Sequence, residues 1–322
     1  MDIRLTAGPH DCLGPLARGE VAGRGVQISL DHRTAMDRAF DGDPLPASEA
    51  SLSRYLMMRA NGDDRYCGLP FFMYRGFRHR FFFVRHDSDL HDLPDLRGLR
   101  VGITAWFETG NTWTKAALSD AGVAVDDLKW AIGPLDEHSM LKPRQPGEPS
   151  LPPYVSTIAP GSTLMGDLRA GRLDAVVAPF PPAQLGQQAG VRRLFASYRE
   201  AEHDYFRRTS IYPAGHIVVV DRRLVADHPG LLLAVFDALT ESWDAWIARG
   251  FLFADSAPWV LPALEEGMEV LGPGWQQHGL ETTANRRMLQ VLADEQLRQG
   301  HIARPADPLA AFEDYSAARA SA

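Results

Sequence analysis

The stretch Arg75-Gly76-Phe77-Arg78-His79-Arg80 places a histidine among three guanidinium groups, between the aromatic runs Phe71-Phe72-Met73-Tyr74 and Phe81-Phe82-Phe83-Val84. Histidine, with an ordinary pKa of about 6.5, can hold or release a proton near neutrality, and a buried glutamic acid whose pKa is raised can do the same. His79, His216 and Glu49 are therefore the candidate proton donors. A guanidinium grips a carboxylate through two parallel hydrogen bonds, so Arg78, Arg75 and Arg54 are candidate clamps for an organic acid. Ser51 counts with them as a substrate-binding candidate. After the turn at Gly98, Thr104, Trp106 and Asn111 offer a hydroxyl, a ring face and an amide, and the helix that follows adds a partial positive charge at its start.

Each residue also has a plainer reading. The arginines around His79 favour its neutral form by charge repulsion, and a neutral His79 can simply bond a backbone carbonyl. Alternation along a regular strand would send Arg78 and His79 to opposite faces, so both meet one ligand only where the strand ends or bulges. His216, after Tyr212-Pro213-Ala214-Gly215, can stabilise a crossover between domains. Glu49 can be a first-turn acid that complements a helix dipole. His79, His216 and Glu49 would together suit a divalent ion, but no His-x-His or His-Glu-x-x-His spacing occurs. The expectation is no metal and no other cofactor, with a divalent metal ion as the alternative. Gly8 to Gly14 forms no dinucleotide fingerprint, and a phosphate-binding loop is missing.

The elements that must position these groups alternate between strand and helix. Ile3 to Ala7 predicts a strand, Gly8-Pro9 a turn, the residues to Arg18 a helix, and Val26 to Leu30 a second strand. Ser48 as a cap with Glu49 in the first turn predicts a helix over 48–60. Strands are expected at 100–104, 129–132, 173–178 and 215–220, and helices at 113–121, 163–170 and over most of the chain after 229. Prolines 134, 143, 146, 149, 152, 153 and 160 exclude regular helix from that stretch, which is either a lid or an insertion. Such alternation predicts mostly parallel sheets with helices on their faces. Ligands in these folds lie beyond the carboxyl ends of the strands, which makes the loops at 8–11, 104–111 and 178–182 candidate walls.

At 322 residues the chain has the length of two domains, and 45% apolar with 23% charged residues is ordinary globular composition. A net charge of −8 argues against nucleic acid and anionic membrane as partners. Apolar runs fall short of the roughly 20 residues that cross a bilayer. The opening Met1-Asp2-Ile3-Arg4-Leu5 lacks a secretory pattern, so a cytoplasmic location is expected. Cys12 and Cys67 are too few for a disulfide framework; one bridge and two free thiols are both open.

Several separate stretches resemble the 4,5-dihydroxyphthalate decarboxylase family. They are Ser48-Glu49-Ala50-Ser51-Leu52-Ser53-Arg54-Tyr55, Arg75-Gly76-Phe77-Arg78-His79 and Arg97-Gly98-Leu99-Arg100-Val101-Gly102, followed by Val191 to Phe195, Tyr198-Arg199-Glu200 and Tyr205-Phe206-Arg207-Arg208-Thr209. Ile211-Tyr212-Pro213 with His216, and His278-Gly279-Leu280-Glu281 with Asn285-Arg286, complete the resemblance, which spans residues 25–305. The chain departs from the family pattern in the loop Pro9 to Leu13 and at Arg80, where an extra guanidinium follows His79. The resemblance implies an α/β, two-domain type II periplasmic-binding-protein-like fold with a ligand cleft between the domains. A discontinuous first domain of 1–96 and 217–322 and a second of 97–216 are expected. It implies a cofactor-independent decarboxylase acting on a small-molecule aromatic carboxylate, converting 4,5-dihydroxyphthalate to protocatechuate by ring protonation and CO2 loss. A related lyase on another hydroxylated acid and a non-catalytic solute-binding protein for an anionic ligand are the alternatives, and a homo-oligomer is left open.

Overall fold

The structure, a computed structural model, describes residues 1–21, 23, 25–32, 39–141, 145, 147–182, 185, 186, 189–252 and 258–322. Its contacts divide the chain into two compact units, 1–76 with 214–290 and 306–322, and 77–213 with 291–305. The first boundary falls some twenty residues earlier than the sequence suggests, because the strand at 82–85 pairs with strands of the second unit. A short C-terminal segment, 291–305, also joins the second unit rather than the first.

The first unit holds a five-stranded sheet in the order β2-β1-β3-β11-β4. Its strands are β1 (Asp2–Ala7), β2 (Gln27–His32), β3 (Ala47–Ser51), β4 (Tyr66–Arg75) and β11 (Ala214–Asp221). β1 runs parallel to β2 and β3, while β11 lies antiparallel between β3 and β4. The sheet is thus mixed rather than mostly parallel. Helices α1 (Gly14–Ala17) and α2 (Leu52–Ala60) follow β1 and β3.

Residues 47–51 form strand, not the start of a helix. All five are buried and pair with β11, and Ala47 and Ser48 pair with β1 on the other side as well, so ladder hydrogen bonds and burial outweigh local helix propensity. The helix starts at Leu52, and its cap is Ser51, whose hydroxyl accepts from the Arg54 N–H.

The second unit holds a six-stranded sheet in the order β10-β5-β9-β6-β7-β8. Its strands are β5 (Phe82–Arg85), β6 (Arg100–Ile103), β7 (Lys129–Ile132), β8 (Val155–Thr157), β9 (Ala175–Val177) and β10 (Val191–Arg193). β6, β7, β8 and β9 pair in parallel and β5 pairs antiparallel with β9 and β10. Helices α3 (Thr109–Asp120), α4 (Leu164–Arg169) and α5 (Tyr198–Thr209) belong to this unit. Phe82, Phe83, Val101, Ile103, Trp130 and Leu168 are among its core residues. Among the described residues the proline-rich stretch contains the short edge strand β8 and no helix; Pro143 and Pro146 lie outside them. Beyond residue 229 the chain is mostly helical, as expected, with α7 (Leu231–Leu252) the longest helix after the short α6 (Arg222–Asp227). No helix among the described residues is long and apolar enough to cross a membrane.

Candidate functional site

Glu49 stands in the middle of β3, 1% exposed. A carboxylate so placed needs hydrogen-bond donors on both oxygens. Oε2 accepts from the Gly8 N–H at 2.8 Å, just past the carboxyl end of β1, whose register with β3 sets Thr6 beside Ser48. Oε1 meets two imidazoles, His10 Nε2 at 2.9 Å and His216 Nδ1 in a very short contact. Burial alone would raise the carboxyl pKa, but the hydrogen bonds from His10 and His216 and their charges outweigh it, holding Glu49 well below the usual carboxylate range. An ionised carboxylate only accepts, so the nitrogens facing it carry the protons: His10 is protonated on Nε2 and His216 on Nδ1.

Three distant segments deliver this group. His10 caps a short 3-10 turn, Asp11–Leu13, which is pinned to α7 by Ser242: its hydroxyl donates to the Cys12 carbonyl at 2.7 Å and accepts from the Leu16 N–H at 3.3 Å. His216 lies on β11 where the register with β4 shifts on either side of it, a local bulge that re-aims a side chain. Tyr74, opposite His216 on β4, puts its ring centroid 6.1 Å from the imidazole and is 40% exposed. Gly215 makes room for it: a Cβ there would come within 2.7 Å of the Tyr74 ring. Cys12, near Glu49, is a free thiol pushed up to about 12, mainly by burial, so it stays protonated; Cys67 is also free and buried.

Of the expected site residues, Glu49 and His216 are thus brought together, and His10 joins them in the place His79 was expected to take. Sequence reading marked the loop after β1 as a wall without singling out His10. The usable signal was its position just past the carboxyl end of the first strand. Ser51 and Arg54 follow on the same segment, but Ser51 caps α2, and Arg54 is buried against the Phe40 ring with a 3.4 Å contact to Asp41. Arg75 is engaged by Asn285 Oδ1 at 2.6 Å and lies over the Phe72 ring.

The remaining candidates lie in the second unit. β4 ends at Arg75 and a 3-10 turn begins at His79, so Arg78 and His79 are free of strand alternation. His79 is buried between the rings of Phe195 and Tyr205, and no hydrogen-bond partner of its Nδ1 is found among the described residues. It is pushed down to about 4, chiefly by burial, with Arg208 and Arg80 adding to it. Arg78 is buried on the Phe81 ring, donating to Thr114 Oγ1 at 3.3 Å and the Ala178 carbonyl at 3.2 Å. Arg80 is held by both carboxylate oxygens of Glu202 at 3.0 Å, so its extra guanidinium already has an acid. Thr104 and Asn111 both donate to Glu108, whose carboxylate sits at the start of α3 where an anionic ligand was expected. Trp106 is core: 1% exposed, its indole packs on Trp130 and on the Lys115 ammonium, 3.6 Å from the ring centroid. Lys115, fully buried, was not singled out from sequence; it donates to the Trp106 carbonyl at 2.8 Å.

Comparison with solved structures shows the fold. The alkanesulfonate-binding protein SsuA of Xanthomonas axonopodis pv. citri, bound to MOPS, has a TM-score of 0.54 at 16% identity, covering 96% of this chain and 97% of that one. The periplasmic aliphatic sulphonate binding protein SsuA of Escherichia coli has a TM-score of 0.55 at 14% identity, covering 97% and 91%. The fold is the two-domain type II periplasmic-binding-protein-like one. Sequence comparison is more specific. The 4,5-dihydroxyphthalate decarboxylase of Comamonas testosteroni is 27% identical over 300 residues, 88% of each chain. That of Pseudomonas putida is 30% identical over 218 residues, 65% of this chain and 83% of the relative. No family model matches the chain. This chain belongs to the 4,5-dihydroxyphthalate decarboxylase family, a family of carboxy-lyases.

Proposed function

We propose that the chain decarboxylates a hydroxylated aromatic dicarboxylate of the 4,5-dihydroxyphthalate type without a bound cofactor, using His216 as proton donor. Family membership supports the reaction class, and one observation carries the assignment of the residue: two imidazoles share a single oxygen of a buried, ionised carboxylate. A ring hydroxyl para to the departing carboxylate pushes electron density onto the carbon that bears it. That carbon takes a proton, the bond to the carboxylate breaks, and its electron pair restores the aromatic ring as CO2 leaves. One proton is consumed and one CO2 released, giving protocatechuate from 4,5-dihydroxyphthalate.

His216 suits the proton delivery because Glu49 orients the ring through Nδ1, and the proton delivered is the one on Nε2, the outer nitrogen of the ring. His10 presents its Nε2 to Glu49, so its other nitrogen is the one crowded by its own Cβ. Glu49 fixes the tautomer of His216 and stabilises the imidazolium before transfer, while Gly8 and His10 hold Glu49 in place. Tyr74 gives an aromatic acid a ring to lie against beside His216.

The test is CO2 release and product identification with purified protein and 4,5-dihydroxyphthalate in buffer without added metal. Formation of protocatechuate with loss of turnover in His216→Gln supports the assignment. Turnover that survives His216→Gln removes His216 as the donor. A thermal shift by the acid without CO2 favours a non-catalytic binder, and turnover of a different hydroxylated acid moves the substrate within the class.

A further inference from the structure

The arrangement that suits proton transfer also meets the requirements of a metal site. His10, Glu49 and His216 each offer one ligand atom, and these atoms lie within 4.8 Å of one another. In a tetrahedral site with metal–ligand bonds of about 2.0 to 2.2 Å, ligand atoms stand roughly 3.3 to 3.6 Å apart, so small side-chain rotations suffice. The donor set is two imidazoles and one carboxylate, which selects a borderline ion of the zinc class over magnesium or calcium, whose sites are built from oxygen. A supporting shell is already present, since the Gly8 N–H holds Oε2 at 2.8 Å and orients Oε1 toward the two rings.

We propose that His10 Nε2, Glu49 Oε1 and His216 Nδ1 form a binding site for one zinc-class divalent cation, and that its occupation switches the chain off. Each imidazole nitrogen that ligates the ion must give up the proton it donates to Glu49. The ion therefore replaces both hydrogen bonds to Oε1, each proton moving to the ring's other nitrogen or, from an imidazolium, to solvent, and so draws His216 out of its hydrogen bond with Glu49 and removes the orientation that proton delivery needs. Binding rests on geometry alone; inhibition rests on the functional reading given above, and the two are separable by experiment.

Untagged protein, stripped by chelator and dialysed, is titrated with Zn2+ by calorimetry and with Co2+ by visible absorption. One Zn2+ per chain and a Co2+ ligand-field band are expected, with affinity reduced about 100-fold or more in His10→Gln and in Glu49→Gln. Circular dichroism and ligand-independent unfolding of the same variants establish that they are folded, and His79→Gln, outside the group, serves as a control that keeps wild-type Zn2+ affinity. Affinity unchanged in the His10 and Glu49 variants, or binding equally shared with the control, overturns the site. In the activity assay, Zn2+ should inhibit with the same saturation as binding and chelator should restore the rate; activation by Zn2+ overturns the switching role. Zinc binding through these residues in a protein that turns over no hydroxylated acid keeps the site and rejects the function, whereas turnover with no such binding does the reverse.

Discussion

His216 faces Ser51 across the antiparallel pair β11 and β3, yet its imidazole reaches diagonally to Glu49, the residue opposite Val218. Strand neighbours on the diagonal lie about 7–8 Å apart at their backbones, a span a histidine and a glutamate close between them. The bulge around His216 supplies the twist that brings the two side chains into line.

That relationship makes Glu49 the most informative single substitution. Glu49→Gln preserves shape but removes the charge that stabilises an imidazolium at His216. A fall in kcat on the order of 10²–10⁴ is expected, with dihydroxyphthalate affinity by calorimetry within about tenfold of wild type. A kcat within about threefold of wild type would exclude the pairing from the reaction.

Tyr74 and Gly215 test the aromatic surface. Adding a methyl group at position 215 sets it 2.7 Å from the Tyr74 ring, so Gly215→Ala must turn the ring away from His216. Both Gly215→Ala and Tyr74→Ala should raise KM for the aromatic acid by about 5- to 10-fold, the loss of one ring contact of about 1 kcal/mol. If KM holds in both variants, the substrate does not lie on Tyr74.

Acid stability probes His79. Its folded pKa, about 4, lies below the value of about 6.5 in an unfolded chain. Between those values the unfolded chain binds a proton that the folded chain refuses, so stability declines as pH falls through this window, by about 3 kcal/mol in all. Above and below the window the contribution is flat. His278 and His301 are also buried and held well below the ordinary range, so they act in the same direction. His79→Gln should therefore make the decline shallower without abolishing it, as read by urea unfolding between about pH 7.5 and pH 4.5. A slope identical to wild type refutes the buried neutral state.

Trp106 separates core from site. Trp106→Ala should cost about 3–5 kcal/mol of stability, because it opens a cavity beside Trp130 and removes the ring over Lys115. KM measured on the folded fraction should stay within about twofold of wild type, whereas a large rise in KM with little loss of stability would return Trp106 to ligand contact.

The sequence carried much of the architecture: β1, β6, β7, β9 and β11 fall where their apolar runs predict, and α3 and α4 follow their strands. It misplaced Glu49. Ser48, Glu49 and Ser51 read locally as a helix start, and only pairing with β1 and β11, strands from distant parts of the chain, makes that segment the centre of a sheet. His10 escaped for a related reason. Nothing within a window of twenty residues tells that position 10 meets positions 49 and 216; the meeting is a product of strand order. The arginines were recognised by type, but type does not reveal that Asn285, Glu202, Thr114 and Ala178 already accept from Arg75, Arg80 and Arg78.

The place of β11 between β3 and β4 bears on how the chain is made. Ribosomes release β3 and β4 early, but the strand that joins them emerges only after residues 77–213 have been synthesised. During that interval the two strand edges that β11 will cover have no native partner in the nascent chain and can pair with other chains. The insertion that zips the sheet shut is the same event that carries His216 to Glu49, so a chain that stalls or aggregates before it lacks the Glu49–His216 contact as well as the sheet.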